Sequence, residues 1–389
     1  MSDTPAEQWG IYVHIPYCVR KCAYCDFVSS AASAAAVGEM ADYAAALRAE
    51  ILREAPPLRT RWGDAATLYL GGGTPTALPP PLLTEILRTL IDAAGMPQEC
   101  SVEANPGTVD AAYLRQLRAA GATRLSIGVQ SFDDRLLRSI GRIHTAQEAR
   151  AAVRAARTAG FANISLDLMY GLPTQTLDDL KNSVGAALAL APEHISVYGL
   201  IVEEGTPFAA AAAAGRLVLP DEDAAEEMYD YLMETLPAHG YARYEISNFA
   251  RAGHESRHNL GYWQSVPYLG VGAAAHGCID GVRWGNEPDA QRYIRAVRMG
   301  QPVRRPEDPD RTETSAMEEY AFLALRTAAG IDAADFRRRF GMDAAAVYGA
   351  VIARYERQGL LRCADGRIAL TPAGMKIGNE IFAAFLCDG

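Results

Sequence analysis

Three cysteines close together near residue 20 have the spacing of a metal site. Cys18, Cys22 and Cys25 lie in the stretch IYVHIPYCVRKCAYCDF. Three thiolates leave a fourth coordination position free, and a free position allows a metal centre to bind and activate another molecule. Soft thiolate ligands select zinc, copper(I) or iron–sulfur clusters. We predict an iron–sulfur cluster first and zinc second. Disulfides are disfavoured, because the chain begins MSDTPAEQWG, without the apolar signal segment that accompanies disulfide-rich proteins.

The elements that must position these thiols are short apolar runs alternating with alanine-rich amphipathic stretches. We predict strands at 10–15, 67–71, 100–105, 124–130, 164–171, 194–201 and 241–247. We predict helices at about 38–54, 80–94, 110–120, 145–159, 176–190 and 221–238. Such alternation is typical of βαβ units and predicts an α/β fold with a parallel sheet.

The segments with unusual composition all follow predicted strands. The cysteine loop follows the first strand, and the segments after the next four are GGGTPT (71–76), EANP (103–106), GVQSF (128–132) and DLMYGLP (167–173). Parallel barrels and open α/β sheets build their active sites at the carboxyl ends of their strands. We therefore expect these segments to form one shared site.

The amino-acid composition of the sequence changes after about residue 300. Residues 301–311 are rich in proline and charge and are predicted to be a linker between a first domain at 1–300 and a second at 312–389. The second domain is predicted to be mostly helical and winged-helix-like, with helices near 312–329, 332–340 and 343–358, a small hairpin, and a last helix ending near 386. Residues 310–389 contain ten Lys and Arg and eleven Asp and Glu residues. This charge balance disfavours nucleic-acid binding by the second domain.

Composition narrows the class of protein further. The chain has 389 residues, of which 49% are hydrophobic, enough for a large buried core. No apolar run reaches the roughly 20 residues of a membrane helix. A net charge of −10 argues against general nucleic-acid binding. Seven cysteines in a chain with no apparent leader predict a reducing compartment, the cytoplasm.

The spacing C-x3-C-x2-C after the first strand of a βα repeat, with Tyr24 before the last cysteine, resembles the radical SAM superfamily. The resemblance implies a partial parallel (β/α)6-type barrel. It also implies that Cys18, Cys22 and Cys25 hold a 4Fe–4S cluster. S-adenosyl-L-methionine (SAM) would chelate the open iron, and an electron donor would reduce the cluster.

Several residues at the strand ends suit SAM chemically. Glycines expose backbone carbonyls to an ammonium group, Glu103 offers it a carboxylate, and an arginine fork such as Arg142 suits the methionine carboxylate. Gln130 and Asp167 suit ribose hydroxyls, although a capping or loop hydrogen bond is an equal alternative for each. Tyr12 alternates onto the same face and could stack near adenine or the cluster. The candidate SAM-binding residues are Tyr12, Gly72, Gly73, Thr74, Glu103, Gln130, Arg142 and Asp167.

The segments VHIPYC, LGGGTPT, SVEANPGT, LSIGVQSF, DLMYGLPTQT and YLGVGAAAH resemble the oxygen-independent coproporphyrinogen oxidase group over nearly the whole chain. Coproporphyrinogen III dehydrogenases of this group carry a further cysteine two residues after the third ligand, and an N-terminal extension. Here Phe27 stands at that position, and only about ten residues precede the first strand. These departures favour the HemW-like heme chaperones and leave the dehydrogenase as the alternative. A third class, radical SAM tRNA modification, predicts a basic appendage that this sequence lacks.

HemW-like proteins also carry an HNxxYW motif, which appears here as HNLGYW at 258–263. The resemblance implies heme binding by His258, Asn259, Tyr262 and Trp263, with Arg251, Arg257 or Arg283 meeting the propionates. The axial ligand is left open: His258 and Tyr262 are candidates, and His276 is a weaker one that could only line the barrel mouth. The implied partners are heme and acceptor heme proteins such as those of the respiratory chain. Whether SAM is cleaved is also left open.

Overall fold

The structure is a computed structural model that describes residues 8–31, 37–307 and 311–386. Its strands are β1 (Gly10–Ile15), β2 (Tyr17–Cys18), β3 (Ser30–Ala31), β4 (Thr67–Gly72), β5 (Glu99–Ala104), β6 (Arg124–Gln130), β7 (Asn163–Tyr170), β8 (His194–Gly199), β9 (Ala242–Arg243), β10 (Asn248–Ala250), β11 (Tyr268–Val271), β12 (His276–Ile279), β13 (Val282–Asn286), β14 (Arg304–Pro306), β15 (Ile331–Asp332), β16 (Leu361–Ala364) and β17 (Arg367–Leu370).

The helices alternate with these strands through most of the chain. They are α1 (Val37–Trp62), α2 (Pro80–Ala94), α3 (Ala111–Ala119), α4 (Asp134–Ser139), α5 (Ala146–Thr158), α6 (Leu177–Ala189), α7 (Pro207–Ala213), α8 (Glu222–Ala238), α9 (Arg257–Trp263), α10 (Ala290–Arg298), α11 (Glu313–Leu325), α12 (Ala333–Phe340), α13 (Ala344–Arg357), α14 (Pro372–Lys376) and α15 (Gly378–Ala384). A short 3-10 turn occupies Pro75–Ala77.

One twelve-stranded open sheet organises the first domain, in the order β14-β13-β12-β11-β1-β4-β5-β6-β7-β8-β10-β9. The seven strands from β11 to β8 are all parallel to their neighbours, and both ends of the sheet are antiparallel. The parallel strands are buried nearly throughout, as expected where helices cover one face. The predicted α/β fold with a parallel core is confirmed.

Local sequence explains where several helices begin. Thr145 and Thr176 each accept a hydrogen bond from the backbone three residues on, and Glu148 and Asp179 bond back in two capping boxes. The helices that follow, α5 and α6, are set against the sheet by buried residues such as Val153 and Val184. The capping fixes the loops that precede these helices: the loop before α6 lies at the carboxyl end of β7, and the loop before α5 follows α4.

The C-terminal part forms its own core beside this sheet. Helices α11 to α13, α15 and a three-stranded sheet ordered β15-β17-β16 bury a cluster that includes Phe336, Tyr348 and Phe385. The predicted mostly helical C-terminal domain with a hairpin is confirmed, and the hairpin is β16–β17.

Three stretches differ from the sequence-based expectations. Of the strand predicted at 241–247, only Ala242–Arg243 forms a strand. The Ser247 backbone donates a hydrogen bond to Glu245 where the chain turns, and the next strand begins at Asn248. The helix predicted to reach 329 ends at Leu325. Residues 304–306, within the expected linker, form β14 and pair with β13. The elements α9 and β11 to β13 were not predicted at all.

Candidate functional site

The cysteine loop leaves the carboxyl end of β1 and is fastened to two neighbouring segments. Cys18 is buried in β2, where its Sγ accepts a hydrogen bond of 3.6 Å from the Thr74 hydroxyl. Cys22 and Cys25 are partly exposed, and Arg142 Nη1 lies 3.5 Å from the Cys22 Sγ. All three thiols are free. The loop therefore presents three unpaired thiols at the expected end of the sheet.

The thiols do not yet have the geometry of a filled metal site. Among the described residues, no three His, Cys, Asp or Glu side chains are arranged to hold one metal ion. Burial raises the pKa of the Cys25 thiol, and its neighbours Cys22 and Cys18 raise it further. Metal binding needs thiolates, so cluster loading would release the thiol protons. Their type and shared loop fit a cluster held by three cysteines.

The glycine turn after β4 packs against this loop. Gly72 has a φ of +103°, and a Cβ there would lie 2.6 Å from the His14 ring. A Cβ on Gly73 would lie 2.7 Å from the Tyr17 carbonyl oxygen, while the Gly73 amide donates to the Ile15 carbonyl at 2.9 Å. Close packing against β1 and β2 therefore requires both glycines, whether or not a ligand also uses their backbone.

Two residues predicted to bind SAM have buried polar side-chain atoms without a hydrogen-bond partner among the described residues. Gln130 ends β6 with a φ of +66°, and its Oε1 makes no hydrogen bond. The Arg142 Nε is also unpartnered, although its Nη2 donates to Asn105 Oδ1 at 2.6 Å and to the Gly128 carbonyl. Unsatisfied buried polar atoms are costly without a partner. Both atoms fit a site completed by a polar ligand.

Two carboxylates line a polar cavity of about 40 Å³ on the concave face of the sheet. Glu103 accepts a hydrogen bond of 2.7 Å from the Tyr69 hydroxyl, and Asp167 accepts one of 3.1 Å from Ser126. Burial raises the pKa of Glu103 to about 7, and the Asp167 charge adds to the shift. Burial raises the pKa of Asp167 as well. Asn259 lines the same cavity, which brings part of the HNLGYW segment next to these carboxylates.

Tyr12 connects this interior to the cysteine loop. Its ring stacks on Tyr69 with centroids 6.3 Å apart, and its hydroxyl is hydrogen-bonded to His14 Nδ1 at 3.0 Å. The His14 Nε2 is in turn 2.9 Å from the Val28 carbonyl oxygen. Tyr12 therefore lies on the face that the sequence predicted, already stacked on another aromatic ring.

His258 lies on helix α9. The Ser256 hydroxyl caps this helix. The imidazole is only 3% exposed, with Nδ1 2.8 Å from the Thr67 hydroxyl and Nε2 2.8 Å from the Tyr262 hydroxyl. Burial lowers its pKa to about 3, so the ring is neutral. In this arrangement His258 joins α9 to the start of β4.

A cleft of about 1,040 Å³ lies between the cysteine loop, α9, β11–β13 and the C-terminal domain. Tyr262 and Trp263 form part of its wall, opposite Phe27 and Val28 of the cysteine loop. Phe27 is 62% exposed, an unusual state for a phenylalanine. The other face of Trp263 is covered by Arg326, whose guanidinium carbon is 4.8 Å from the ring centroid.

Of the arginines predicted to meet propionates, only Arg283 lines the cleft. Arg251 instead lies over Tyr241, and Arg257 donates to Gln98 at 3.1 Å. The sequence analysis missed Arg311, Arg338 and Arg339, which also line the cleft. The run Arg337–Arg339 was visible in the sequence, but only the tertiary structure places α12 beside the first domain. His276 lines the cleft as well.

Comparison with known proteins agrees with this architecture. The family model for the radical SAM superfamily matches residues 12–187, and that for the HemN C-terminal domain matches 312–377. The heme chaperone HemW of Bacillus subtilis is 41% identical over 380 residues, covering 96% of this chain and 98% of that protein. HemW of Lactococcus lactis is 36% identical over 381 residues, covering 97% of each.

A solved structure shows the same fold at lower sequence identity. Coproporphyrinogen III oxidase (HemN) from Escherichia coli superposes with a TM-score of 0.82 at 22% identity, covering 98% of this chain and 91% of that one. None of the helices in the described ranges has the length and apolar character needed to cross a membrane.

Proposed function

We propose that this chain, which belongs to the HemW family within the radical SAM superfamily, binds heme and transfers it to acceptor heme proteins. The main support for heme binding is the cleft of about 1,040 Å³. Its volume is at the upper end of the roughly 300–1,000 Å³ of ligand pockets. It combines aromatic walls from Tyr262, Trp263 and Phe27 with a rim of arginines, as a flat apolar macrocycle with two carboxylates requires.

We further propose that Cys18, Cys22 and Cys25 hold a 4Fe–4S cluster, and that SAM binds beside it. The free thiols and the two unpartnered polar atoms of Gln130 and Arg142 support this assignment. When bound and reduced, the cluster supplies an electron for cleavage of the SAM sulfonium. This chain's residues would orient SAM: Arg142 its carboxylate, Glu103 its ammonium, and Gln130 and Asp167 its ribose. Gly72, Gly73 and Thr74 would shape the turn beneath it, and Tyr12 would flank it.

The two domains have separate roles in this proposal. Residues 1–300 would carry the cluster, the SAM site and most of the heme cleft, 301–311 would join the domains, and 312–389 would cover the cleft. The acceptors include heme proteins such as those of the respiratory chain, and a separate electron donor would reduce the cluster. The free thiols suit the reducing cytoplasm, where we place the activity.

A hemin titration followed by transfer tests the function. Purified cluster-loaded protein should bind hemin saturably, with a shift of the Soret band. Tyr262→Ala and Trp263→Ala should weaken binding, whereas Tyr355→Ala, in the C-terminal core, should not. The heme-loaded protein should then pass heme to an apo heme protein faster than free hemin equilibrates with it. Non-saturable binding would refute the proposal.

Coproporphyrinogen III provides the test against the competing activity. The HemN likeness is at 22% identity and supports only the fold. Anaerobic incubation of the reduced, cluster-loaded protein with SAM and coproporphyrinogen III should yield no decarboxylated product. Formation of protoporphyrinogen at a catalytic rate would replace the chaperone function with the dehydrogenase.

A further inference from the structure

We propose that the heme iron is ligated by Nε2 of His276, and not by His258 of the HNxxYW motif. This inference rests on the proposed heme-binding function and assigns the ligand within it. His276 is the first residue of β12 and lines the cleft, close to the cysteine loop residues Phe27 and Val28 that line it too.

Both ring nitrogens of His258 are already hydrogen-bonded. Its Nδ1 is hydrogen-bonded to Thr67 and its Nε2 to Tyr262, each at 2.8 Å. A Cβ on Gly10 would lie 3.2 Å from its Nδ1, so the ring is also closely packed. Ligation through Nε2 would therefore break the buried hydrogen bond to Tyr262 and would require the closely packed ring to move.

His276 has the arrangement of a metal-ligating histidine. Its Nδ1 is 2.5 Å from Glu307 Oε1, and its side chain is 59% exposed. Among the described residues, none hydrogen-bonds to its Nε2. Histidines that bind metals commonly donate the other ring N–H to a carboxylate, which fixes the tautomer and raises the basicity of the ligating nitrogen. Glu307 supplies that carboxylate.

The neighbouring strand leaves room for this pair. Gly285 is the cross-strand partner of His276 on β13. A Cβ there would lie 2.8 Å from Glu307 Oε1 and 3.4 Å from His276 Cε1. Because Gly285 has a negative φ, its backbone conformation does not require glycine. The space for the His276–Glu307 pair is the physical reason for glycine at this position.

The other possible ligands in the cleft are less suitable. His14 lines the cleft, but both its ring nitrogens are engaged, by Tyr12 and by the Val28 carbonyl. Tyr268 accepts a hydrogen bond of 3.1 Å from Arg283. Cys278 follows His276 by two residues on the same strand and lines the cleft too, but burial raises the pKa of its thiol and so disfavours the thiolate that iron would need.

The arginines complete the geometry for a ligand with carboxylates. Arg338 and Arg339 of α12 line the cleft and are paired with Asp335. Arg283 of β13 and Arg311 of the 301–311 segment line it as well and share Glu319, so propionates would compete with these two carboxylates. Arginine forks bind carboxylates in a bidentate manner. A heme whose iron is at His276 would thus have guanidinium groups within the same cleft for its propionates.

Cavity rescue distinguishes ligation from a structural role. His276→Gly should weaken hemin binding about tenfold or more and shift the Soret band and the electron paramagnetic resonance spectrum away from those of an imidazole-ligated heme. Added imidazole should restore both spectra, because it can occupy the vacated space. Glu307→Gln should retain the ligand but weaken binding by a smaller factor. His258→Gln should keep the wild-type spectrum, even if it lowers the melting temperature.

Each result bears on a separate claim. If wild-type protein binds no hemin saturably, the proposed function fails. If it binds hemin but His276→Gly keeps the wild-type spectrum, the ligand assignment fails and heme binding stands. Loss of the wild-type spectrum in His258→Gln would move the ligand to His258 if His276→Gly is unaffected, and a thiolate-type wild-type spectrum that Cys278→Ser abolishes would move it to Cys278.

Discussion

Glu103 shows how the surroundings of one side chain alter its chemistry. Its carboxyl is buried, bonded to the Tyr69 hydroxyl and close to the second carboxylate Asp167, and its pKa is raised to about 7 from the usual 4.5. The residue is therefore partly protonated near neutral pH, and a cationic ligand such as the SAM ammonium would favour the charged form. The Cys25 thiol is another example, because burial raises its pKa whereas a cluster must bind it as a thiolate.

We predict that Glu103→Gln changes the pH dependence of stability. Because the folded protein holds this proton up to about pH 7 and the unfolded chain only to about 4.5, the wild type loses stability as pH rises through that interval. Glutamine does not titrate, so the free energy of unfolding of the variant should rise relative to that of the wild type across the interval, by at most about 3 kcal/mol. Urea unfolding of the apo protein at several pH values measures the difference. Parallel curves would contradict the raised pKa, and the exposed Glu380→Gln is the control.

We predict that each of Cys18→Ala, Cys22→Ala and Cys25→Ala abolishes cluster assembly. Three ligands are the minimum for the proposed cluster, and no other described cysteine lies in the same loop. Anaerobic reconstitution followed by iron and sulfide analysis should give near-zero occupancy for each variant. Cys363→Ala, in the exposed hairpin of the C-terminal domain, should load like the wild type. A variant of the three that still assembled a full cluster would remove that cysteine from the ligand set.

Helix α9 is the element whose role differs most from what its sequence implies. It begins at Ser256 with a side-chain cap and carries HNLGYW over its seven residues. Its one buried residue, His258, bonds to Thr67 of β4, and Tyr262 on the next turn bonds back to His258. The helix therefore closes the amino-terminal end of the sheet with one side and lines the cleft with the other.

We predict that Tyr262→Phe destabilises the protein by about 1–3 kcal/mol, because it leaves the buried Nε2 of His258 without a partner. Chemical denaturation of the apo protein measures the change. The matched control is Tyr355→Phe, because Tyr355 is buried and none of the described residues hydrogen-bonds to its hydroxyl. The free energy of unfolding of this control variant should change little. Equal effects of the two substitutions would show that the Tyr262–His258 bond contributes nothing.

At the scale of the whole molecule, the cleft exists because two domains meet. Glu319 of α11 accepts a hydrogen bond of 2.7 Å from Arg283 of β13, and its other oxygen is 2.6 Å from Arg311. The three side chains are partly buried, at 24–32% exposure. Arg339 adds a hydrogen bond of 3.3 Å to the Gln264 carbonyl just after α9. These contacts hold the C-terminal domain over the cleft.

We predict that Glu319→Gln loosens this attachment. Loss of the charge on Glu319 leaves two guanidinium groups without their anion, an effect of about 1–3 kcal/mol for hydrogen bonds to charged groups. Hydrogen exchange should become faster in α11 and β13, and hemin affinity should fall several-fold. Glu313→Gln, in the exposed first turn of α11, is the control. Unchanged exchange in β13 would mean that the Glu319 ion pairs do not hold the domains together.

The parallel core, the position of the cysteine loop and the heme-chaperone resemblance could be predicted from the sequence alone. These depend on local signals: buried apolar strands, helix caps, glycines at a tight turn and the spacing of thiols. The sequence did not determine the partners of each side chain. The sequence favoured His258 over His276 as a ligand, but Thr67 and Tyr262 are bonded to both ring nitrogens of His258, whereas Glu307 is bonded to only one nitrogen of His276. Only the tertiary structure decides this, because the partners are up to 191 residues apart in the chain.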